Sequence, residues 1–253
     1  PADRSAGLFE KRIDEICREV EKAVDEGRNI IILSDRKAGN GTAAIPSLLA
    51  CSAVHHHLIK NKKRTKAGII IESGEPREVM HYALLIGYGA DAVNPYIAFA
   101  TIFELEKNRK IKAGGGYSEL EYNYIKSVSK GLLKIFSKMG TSTIRSYRGA
   151  QVFEAVGLSG RLVEQYFPGT PTRISGIDTD GIALEAVIKN EKAFIERARL
   201  LDAEGIYSYR KSGEKHAWNP ETIYMLQWAT RLNDYAKYRE FTAVVDGQNR
   251  KPH

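Results

Sequence analysis

The hydrophobic pattern at the start of the chain alternates between helical stripes and short, continuous apolar runs. Residues 13–24 carry apolar side chains three or four positions apart, which predicts an amphipathic helix that ends before Gly27. Residues 29–34 and 69–71 are apolar at nearly every position, which is typical of strands buried on both faces. Helical spacing over residues 45–60 lies between them. Together these segments predict a strand-helix-strand unit.

The remaining elements follow from the same spacing rules. In chain order, the pattern predicts a helix over residues 75–86, a strand over 92–94, helices over 96–106 and 118–139, a strand over 141–146, a helix over 149–156, a polar loop to residue 175 and a helix over 178–198. Asp178 is placed to cap that last helix. A polar turn after Gly205, followed by a helix start at Asn219 and Pro220, marks a change of pattern.

These elements predict an α/β fold. We expect a parallel-sheet module of repeated strand-helix units, arranged like a half-barrel or an open sheet and followed by C-terminal helices. The change of pattern places a domain boundary between residues 1–204 and residues 205–253. A chain of 253 residues with 43% hydrophobic content is large enough to bury a core.

Charge and cysteine content narrow the range of partners. The net charge of +7 permits polyanion binding, but the densest basic run, residues 60–66, is expected at a helix C-terminus, where cations favour the helix dipole. We therefore do not favour nucleic acid. A membrane is not favoured either, because no apolar stretch reaches the roughly 18 residues of a span. Cys17 and Cys51 lie in apolar helical patterns, so we expect two buried thiols and a reducing compartment such as the cytoplasm.

Polar side chains cluster where predicted strands end and helices begin. Among them, the ligand-binding candidates are Arg36, Glu72, Ser73, Glu75 and Arg148. In parallel α/β folds such ends converge on one rim, where arginines can hold a carboxylate or phosphate and carboxylates can act as acid or base. The alternative is that these residues cap helices and satisfy one another. We favour that alternative and assign no catalytic residue, because the sequence shows no nucleophile-base pair.

Other motifs do not indicate a metal or nucleotide site. Residues 55–57 are three successive histidines, which point about 100° apart on a helix and cannot converge on one ion. We expect one or two of them to be packed and one to be solvated. The two cysteines lack the spacing of a zinc, redox or iron-sulfur motif, and the glycine-rich residues 39–42 lack the spacing of a P-loop.

Several motifs in fixed order carry a family resemblance. They are Ile31-Ile32-Leu33-Ser34-Asp35-Arg36, Ile45-Pro46-Ser47-Leu48-Leu49-Ala50, Ile71-Glu72-Ser73-Gly74-Glu75, the stretch from Leu84 to Tyr96 and the stretch from Gln151 to Leu158. In order and spacing they resemble the central domain of the large subunit of glutamate synthase. His216-Ala217-Trp218-Asn219-Pro220-Glu221 is similar to the opening of the family's flavin domain.

The resemblance implies a multidomain enzyme that hydrolyses glutamine in an N-terminal amidotransferase domain, passes ammonia through a tunnel and aminates 2-oxoglutarate on FMN. It implies that residues 1–204 are the central scaffold and tunnel domain and that residues 205–253 begin the FMN-binding synthase domain. The family's nucleophilic cysteine, flavin phosphate loops and cluster-binding cysteines have no matching motif in this sequence. We therefore expect no cofactor in this chain, and FMN and an iron-sulfur cluster in the full-length enzyme.

The resemblance also bears on partners. The expected partners are the amidotransferase and FMN domains, and the chain alone is expected to be inactive. The aromatic residues of the last helices would be covered by the missing domain, so we expect self-association through them. Two other functions stay open: a stand-alone module that binds 2-oxoglutarate or glutamate at the rim, and a polyanion-binding protein that uses residues 60–66 and the band formed by Lys126, Lys130, Lys134 and Lys138.

Overall fold

A computed structural model describes residues 2–112, 114–194, 205–206, 208–248 and 250, with side chains described from residue 7 onward. Its contacts divide the chain into two compact units, the first ending at Phe194 and the second beginning at Ile195. The domain boundary predicted at residue 204 stays a prediction, because residues 195–204 lie outside the described part. The last four residues predicted for the helix over 178–198 lie outside it as well.

The first unit alternates strands and helices. Its elements are α1 (Ala2–Asp25), β1 (Ile30–Ser34), α2 (Ser47–Lys60), β2 (Gly68–Glu72), α3 (Val79–Gly87), β3 (Ala92–Asn94), α4 (Tyr96–Lys107), α5 (Gly116–Lys138), α6 (Ile144–Tyr147), β4 (Ala155–Leu158), α7 (Gly160–Tyr166), β5 (Thr172–Ile177) and α8 (Thr179–Ala193). The strands form two parallel sheets, one in the order β1-β2-β3 and the other pairing β4 with β5. This confirms the predicted α/β class with open parallel sheets, and the described strands do not close a barrel.

The core lies on one side of the three-stranded sheet. Ile31, Ile69 and Ile71 point to that side and are buried together with side chains of α1, α2 and α7. The predicted apolar stripe of the first helix is confirmed, since Ile13, Cys17, Val20 and Val24 all belong to this core. Because these helices share one side of the sheet, its other face is left without a helical layer among the described elements of this unit.

The expectation that β1 is buried on both faces is wrong. Ile30 and Ile32 alternate with Ile31 along the strand and are 62% and 59% exposed. Ile32 lies opposite the half-buried Ile70, which lies opposite the exposed Ala92 of β3. The outer face of the sheet is therefore apolar and open. A strand with a continuous apolar run is buried on both faces only when a covering layer lies on each face of its sheet within the same unit.

Two elements predicted between residues 141 and 156 are also wrong. The predicted strand over 141–146 is replaced by α6, because the Thr143 side chain accepts a hydrogen bond from the Ser146 amide and caps a helical turn. The predicted helix over 149–156 is prevented by left-handed backbone at Gly149 and Gln151, with φ of 72° and 54°. The polar loop predicted to residue 175 contains the second half of β4, all of α7 and the first part of β5.

The second unit contains α9 (Pro220–Leu232) and α10 (Tyr235–Gln248). The predicted start of α9 is confirmed: the Asn219 side chain accepts hydrogen bonds from the amides of Glu221 and Thr222 and caps the helix. A left-handed Asn233, with φ of 49°, turns the chain into α10. Within the described elements of either unit, no helix combines the length and apolar content needed to cross a membrane.

Packing in the first unit predicts that replacing two helical glycines with alanine changes the free energy of unfolding in opposite directions. Gly131 of α5 faces α3 so closely that an added Cβ would lie 2.6 Å from Cγ2 of Val79. We expect Gly131→Ala to lower the free energy of unfolding by about 1 kcal/mol, since overpacking of about 1–3 kcal/mol outweighs a helix-propensity gain of at most about 1 kcal/mol.

The matched control is Gly7→Ala in α1, where an added Cβ would contact nothing within 4 Å. We expect this change to raise the free energy of unfolding by about 0.5–1 kcal/mol. Urea unfolding of the two variants measures both effects. Equal stabilisation by both substitutions would contradict the described packing of α5 on α3.

Candidate functional site

Glu72 is the centre of a polar network at the carboxyl end of the three-stranded sheet. It ends β2, and its carboxylate accepts hydrogen bonds from Ser34 Oγ at 2.6 Å and Asn94 Nδ2 at 3.3 Å. Arg36 Nε lies 2.7 Å from Glu72 Oε1. The hydrogen bond from Ser34, followed by the ion pair with Arg36, lowers the pKa of Glu72. The carboxylate therefore stays charged and saturated with donors.

Asp35 forms a second network beside the first. Its carboxylate accepts from Ser73 Oγ at 2.5 Å, from the Gly74 amide at 3.0 Å and from the Tyr96 hydroxyl at 2.8 Å. Burial and this contact with Asp35 raise the pKa of Tyr96 to about 12. The Arg36 guanidinium lies over the Tyr96 ring, 4.2 Å from its centroid, and joins the two networks.

Glu75 caps a neighbouring helix. Its Oε2 accepts from both the amide and the hydroxyl of Ser47, each at 2.7 Å. Ser47 is the first residue of α2, which is preceded by Pro46 and has no side-chain cap of its own. A carboxylate at this position satisfies an unpaired amide and favours the positive end of the helix dipole.

Arg148 does not join this rim. It follows α6 rather than a predicted strand, and its guanidinium lies 2.6 Å from Asp91, just before β3. Asp91 also accepts from the Ile69 amide at 2.8 Å and from Arg64 at 2.9 Å, so the cluster lies at the amino end of the sheet. Burial alone would raise the pKa of Asp91, but these hydrogen bonds and both arginines lower it.

The structure therefore brings together four of the five predicted site residues and leaves out Arg148. Arg36, Glu72, Ser73 and Glu75 lie at the carboxyl end of the sheet, each bonded to a neighbouring side chain or helix end. Tyr96 and Ser47 were missed by the sequence analysis, although both are first residues of helices that follow Pro95 and Pro46. Whether the rim binds a ligand stays a prediction.

A cleft of about 640 Å³ opens beside this rim. Ile16 and Val20 of α1 form one wall, and Ala44 and Ile45 of the loop before α2 form another. Residues 31–34 of β1 also line it, together with Arg36 and Glu72 of the network. Its volume is within the range of small-molecule sites, and its lining is largely apolar.

The three successive histidines diverge as expected. His55 is buried, and its Nδ1 accepts from Arg64 Nε at 2.8 Å, whereas His56 bonds back to Ser52 and His57 contacts Glu21. Among the described residues, no group of three or more histidine, cysteine, aspartate or glutamate side chains is arranged to hold a metal ion. Both cysteines are buried free thiols, as predicted.

Comparison with known proteins gives these features a family. A sequence model described as the glutamate synthase central domain matches residues 2–159. The chain is 45% identical over 240 residues to the glutamate synthase [NADPH] large chain of Bacillus subtilis, covering 94% of this chain and 16% of that protein. It is 38% identical over 255 residues to the ferredoxin-dependent glutamate synthase of Pyropia yezoensis, covering 96% and 16%.

The fold and the rim define an α/β segment with open parallel sheets whose polar residues are mutually paired. The chain belongs to the glutamate synthase central-domain family, which confirms the resemblance seen in its motifs. It spans 16% of the length of the Bacillus subtilis and Pyropia yezoensis relatives. The same share holds for the glutamate synthase [NADPH] large chain of Azospirillum brasilense, to which it is 37% identical over 252 residues, with 100% of this chain covered.

The environment of His55 predicts a pH dependence of stability. Burial, reinforced by the positive charge of Arg64, lowers the pKa of His55 to about 3. Between the unfolded value of about 6.5 and this folded value, the unfolded chain binds a proton that the folded chain excludes. The free energy of unfolding should therefore fall as the pH is lowered from about 6.5 towards 3.

His55→Gln keeps an acceptor for Arg64 but removes the titrating group. Urea unfolding at a series of pH values should show a flatter profile for this variant than for the unmodified chain, because the other histidines are present in both. Parallel profiles for the two proteins would show that His55 is not held neutral by the fold.

Proposed function

We propose that this chain is the central segment of a glutamate synthase, an enzyme that converts glutamine, 2-oxoglutarate and a reductant into two glutamates. In this role it holds an amidotransferase domain and an FMN domain in place and contributes to the route of ammonia between them. The observation that carries the proposal is the family match together with the 45% identity to the Bacillus subtilis large chain.

The geometry of the rim supports a scaffold role. Glu72, Asp35 and Glu75 each accept hydrogen bonds from two or more protein donors, which favours a structural use of these carboxylates over catalysis. Arg36, which lines the cleft, is paired with Glu72, and its guanidinium lies over the Tyr96 ring. These contacts order the loops at the ends of the strands, which is what a domain that positions its neighbours requires.

The cofactors of the enzyme are proposed for the longer polypeptide. An iron-sulfur cluster held by four thiolates does not fit this chain, because the chain has two cysteines. Cys51 is moreover fully buried, with burial raising the pKa of its thiol to about 12. FMN is likewise assigned to the domain that follows. The two free thiols favour a reducing compartment, for which we propose the cytoplasm.

A chimera tests the proposal directly. We expect this chain to replace the matching segment of the Bacillus subtilis large chain with retention of the glutamine-dependent conversion of 2-oxoglutarate into glutamate. The rate should stay within about tenfold of the unmodified enzyme, a change of under about 1.4 kcal/mol in the barrier. A chimera that keeps its flavin and hydrolyses glutamine but does not convert 2-oxoglutarate into glutamate would contradict the proposal.

The isolated chain offers a complementary test. After incubation with FMN and removal of free flavin, we expect the protein to be colourless, because the cofactor is assigned to residues outside it. Retention of the flavin absorption spectrum would show that part of the cofactor site lies in this chain, and the scaffold role would then be wrong.

We propose that residues 205–253 begin the FMN domain and contact the rest of it. Five aromatic side chains of the second unit's helices and the preceding turn are exposed by 39–72%: Trp218, Tyr224, Trp228, Tyr235 and Tyr238. Apolar patches of this kind mark interaction surfaces. Alone, the chain should therefore self-associate through them.

Light scattering over a range of concentrations measures this association. We expect the mass of the isolated chain to rise with concentration, and Tyr235→Glu to reduce the rise by removing an aromatic and adding a charge. Gln227→Glu adds the same charge at another exposed position of the unit and should leave the rise of the mass with concentration unchanged. A constant monomer mass for the unmodified chain would count against the assignment.

A further inference from the structure

One edge of β1 has no partner strand among the described residues. Within the described residues, β1 pairs with β2 alone. At the start of this ladder the carbonyl of Asn29 accepts a hydrogen bond from the amide of Gly68, and at its end the amide of Asp35 donates to the carbonyl of Glu72. In a parallel pair, alternate residues direct both backbone groups to the partner strand. The amides and carbonyls of Ile30 and Ile32 therefore point to the free edge.

The cleft beside the rim reaches this edge. It is lined by four successive residues of β1, from Ile31 to Ser34. Successive side chains of a strand point to opposite faces, so a cavity that touches all four must contact the side of the strand. Because β2 occupies one side, the cleft runs along the other side and continues around the carboxyl end of the sheet to Ile71, Glu72 and Ser73. Its volume of about 640 Å³ leaves room for several residues of extended chain.

The edge also lacks the devices that keep a free strand from pairing. Proteins protect such edges with proline, lysine, a bulge or a covering element. The sequence of β1 is Ile-Ile-Ile-Leu-Ser, its pairing with β2 is regular, and Ile30 and Ile32 are exposed. An unprotected apolar edge at the side of a cleft is the arrangement used for strand addition.

We propose that this cleft receives an extended strand from another part of the glutamate synthase polypeptide, which pairs with the free edge of β1. The inference rests on the proposed function. Apolar side chains at alternate positions of the incoming segment face Ile16 and Val20 of α1, and the side chains between them extend the open face beside Ile32. It has no proline where its backbone meets β1.

The position of the edge favours this occupant over a second copy. Each β1 is flanked in the cleft by its own α1 and by the loop before α2. Two such edges would have to approach within about 4.8 Å to pair, which these flanking walls oppose. In contrast, the Bacillus subtilis relative is 16% covered by this chain, so most of that polypeptide lies outside the segment and is tethered to it at high effective concentration.

Amide hydrogen exchange tests the pairing without any substitution. In the isolated chain, we expect the amides of Ile30 and Ile32 to exchange rapidly and those of Ile31 and Leu33, bonded to β2, to exchange slowly. In the chimera with the Bacillus subtilis large chain, exchange at Ile30 and Ile32 should slow by on the order of 100-fold. Unchanged rapid exchange at these two amides in the chimera overturns the inference.

The outcomes separate this inference from the proposed function. A chimera that converts 2-oxoglutarate into glutamate while both amides remain unprotected leaves the function standing and removes the strand. A chimera that protects both amides but does not convert 2-oxoglutarate into glutamate supports the strand and contradicts the function. Protection in the isolated chain that grows with protein concentration identifies a second copy as the occupant and also overturns the inference.

Ile32→Pro supplies an independent readout. Residue 32 does not bond to β2, so the substitution removes a donor from the free edge and spares the ladder. We expect it to lower the melting temperature of the chimera by more than that of the isolated chain, while the matched control Ile32→Val, which keeps the amide, changes both equally. Equal shifts for Ile32→Pro in the two proteins would argue against an added strand.

Discussion

Burial of one face of a parallel sheet is the constraint on which the rest of the structure depends. Ile31, Ile69 and Ile71 lie against α1, α2 and α7 and supply the centre of the core. Each fully buried isoleucine contributes about 1.5–3 kcal/mol, so this layer is the main source of stability for the first unit. The same arrangement leaves Ile30 and Ile32 exposed on the opposite face, because no second helical layer is formed by the described residues.

The polar ends of the sheet follow from this arrangement. Where the strands end, backbone groups and helix starts need partners, and Glu72, Asp35 and Glu75 provide them through short hydrogen bonds. At the amino end, Asp91 joins β2 to two arginines. These charged side chains therefore hold the loops at the two ends of the sheet in place.

Much of this architecture could be predicted from the sequence. Helical spacing located α2, α4 and α5 to within a few residues and also located the end of α1, and the motifs identified the family. The errors have physical causes. Thr143 caps a helical turn in a stretch whose β-branched residues favour a strand, and the left-handed Gln151 breaks a helical pattern. Spacing carries no information about such local hydrogen bonds or backbone angles.

The rim was predicted in part for a similar reason. Residues that directly follow β1 and β2 had to meet at one edge, so Arg36 and Glu72 could be placed together from the sequence. Arg148 could not, because its assignment depended on a strand that is absent at that position. The exposure of Ile30 and Ile32 could not be predicted from the sequence either. A continuous apolar run has the same pattern whether the second layer that covers it belongs to the same unit or to another.

The central claim is that this chain is a positioning segment whose polar rim is satisfied by its own contacts. Isothermal titration of the isolated chain with 2-oxoglutarate and with glutamate tests it most directly. The account predicts no saturable heat for either ligand up to about 1 mM. Saturable binding of either carboxylate that is lost in Arg36→Ala would contradict the account and would make the rim a ligand site.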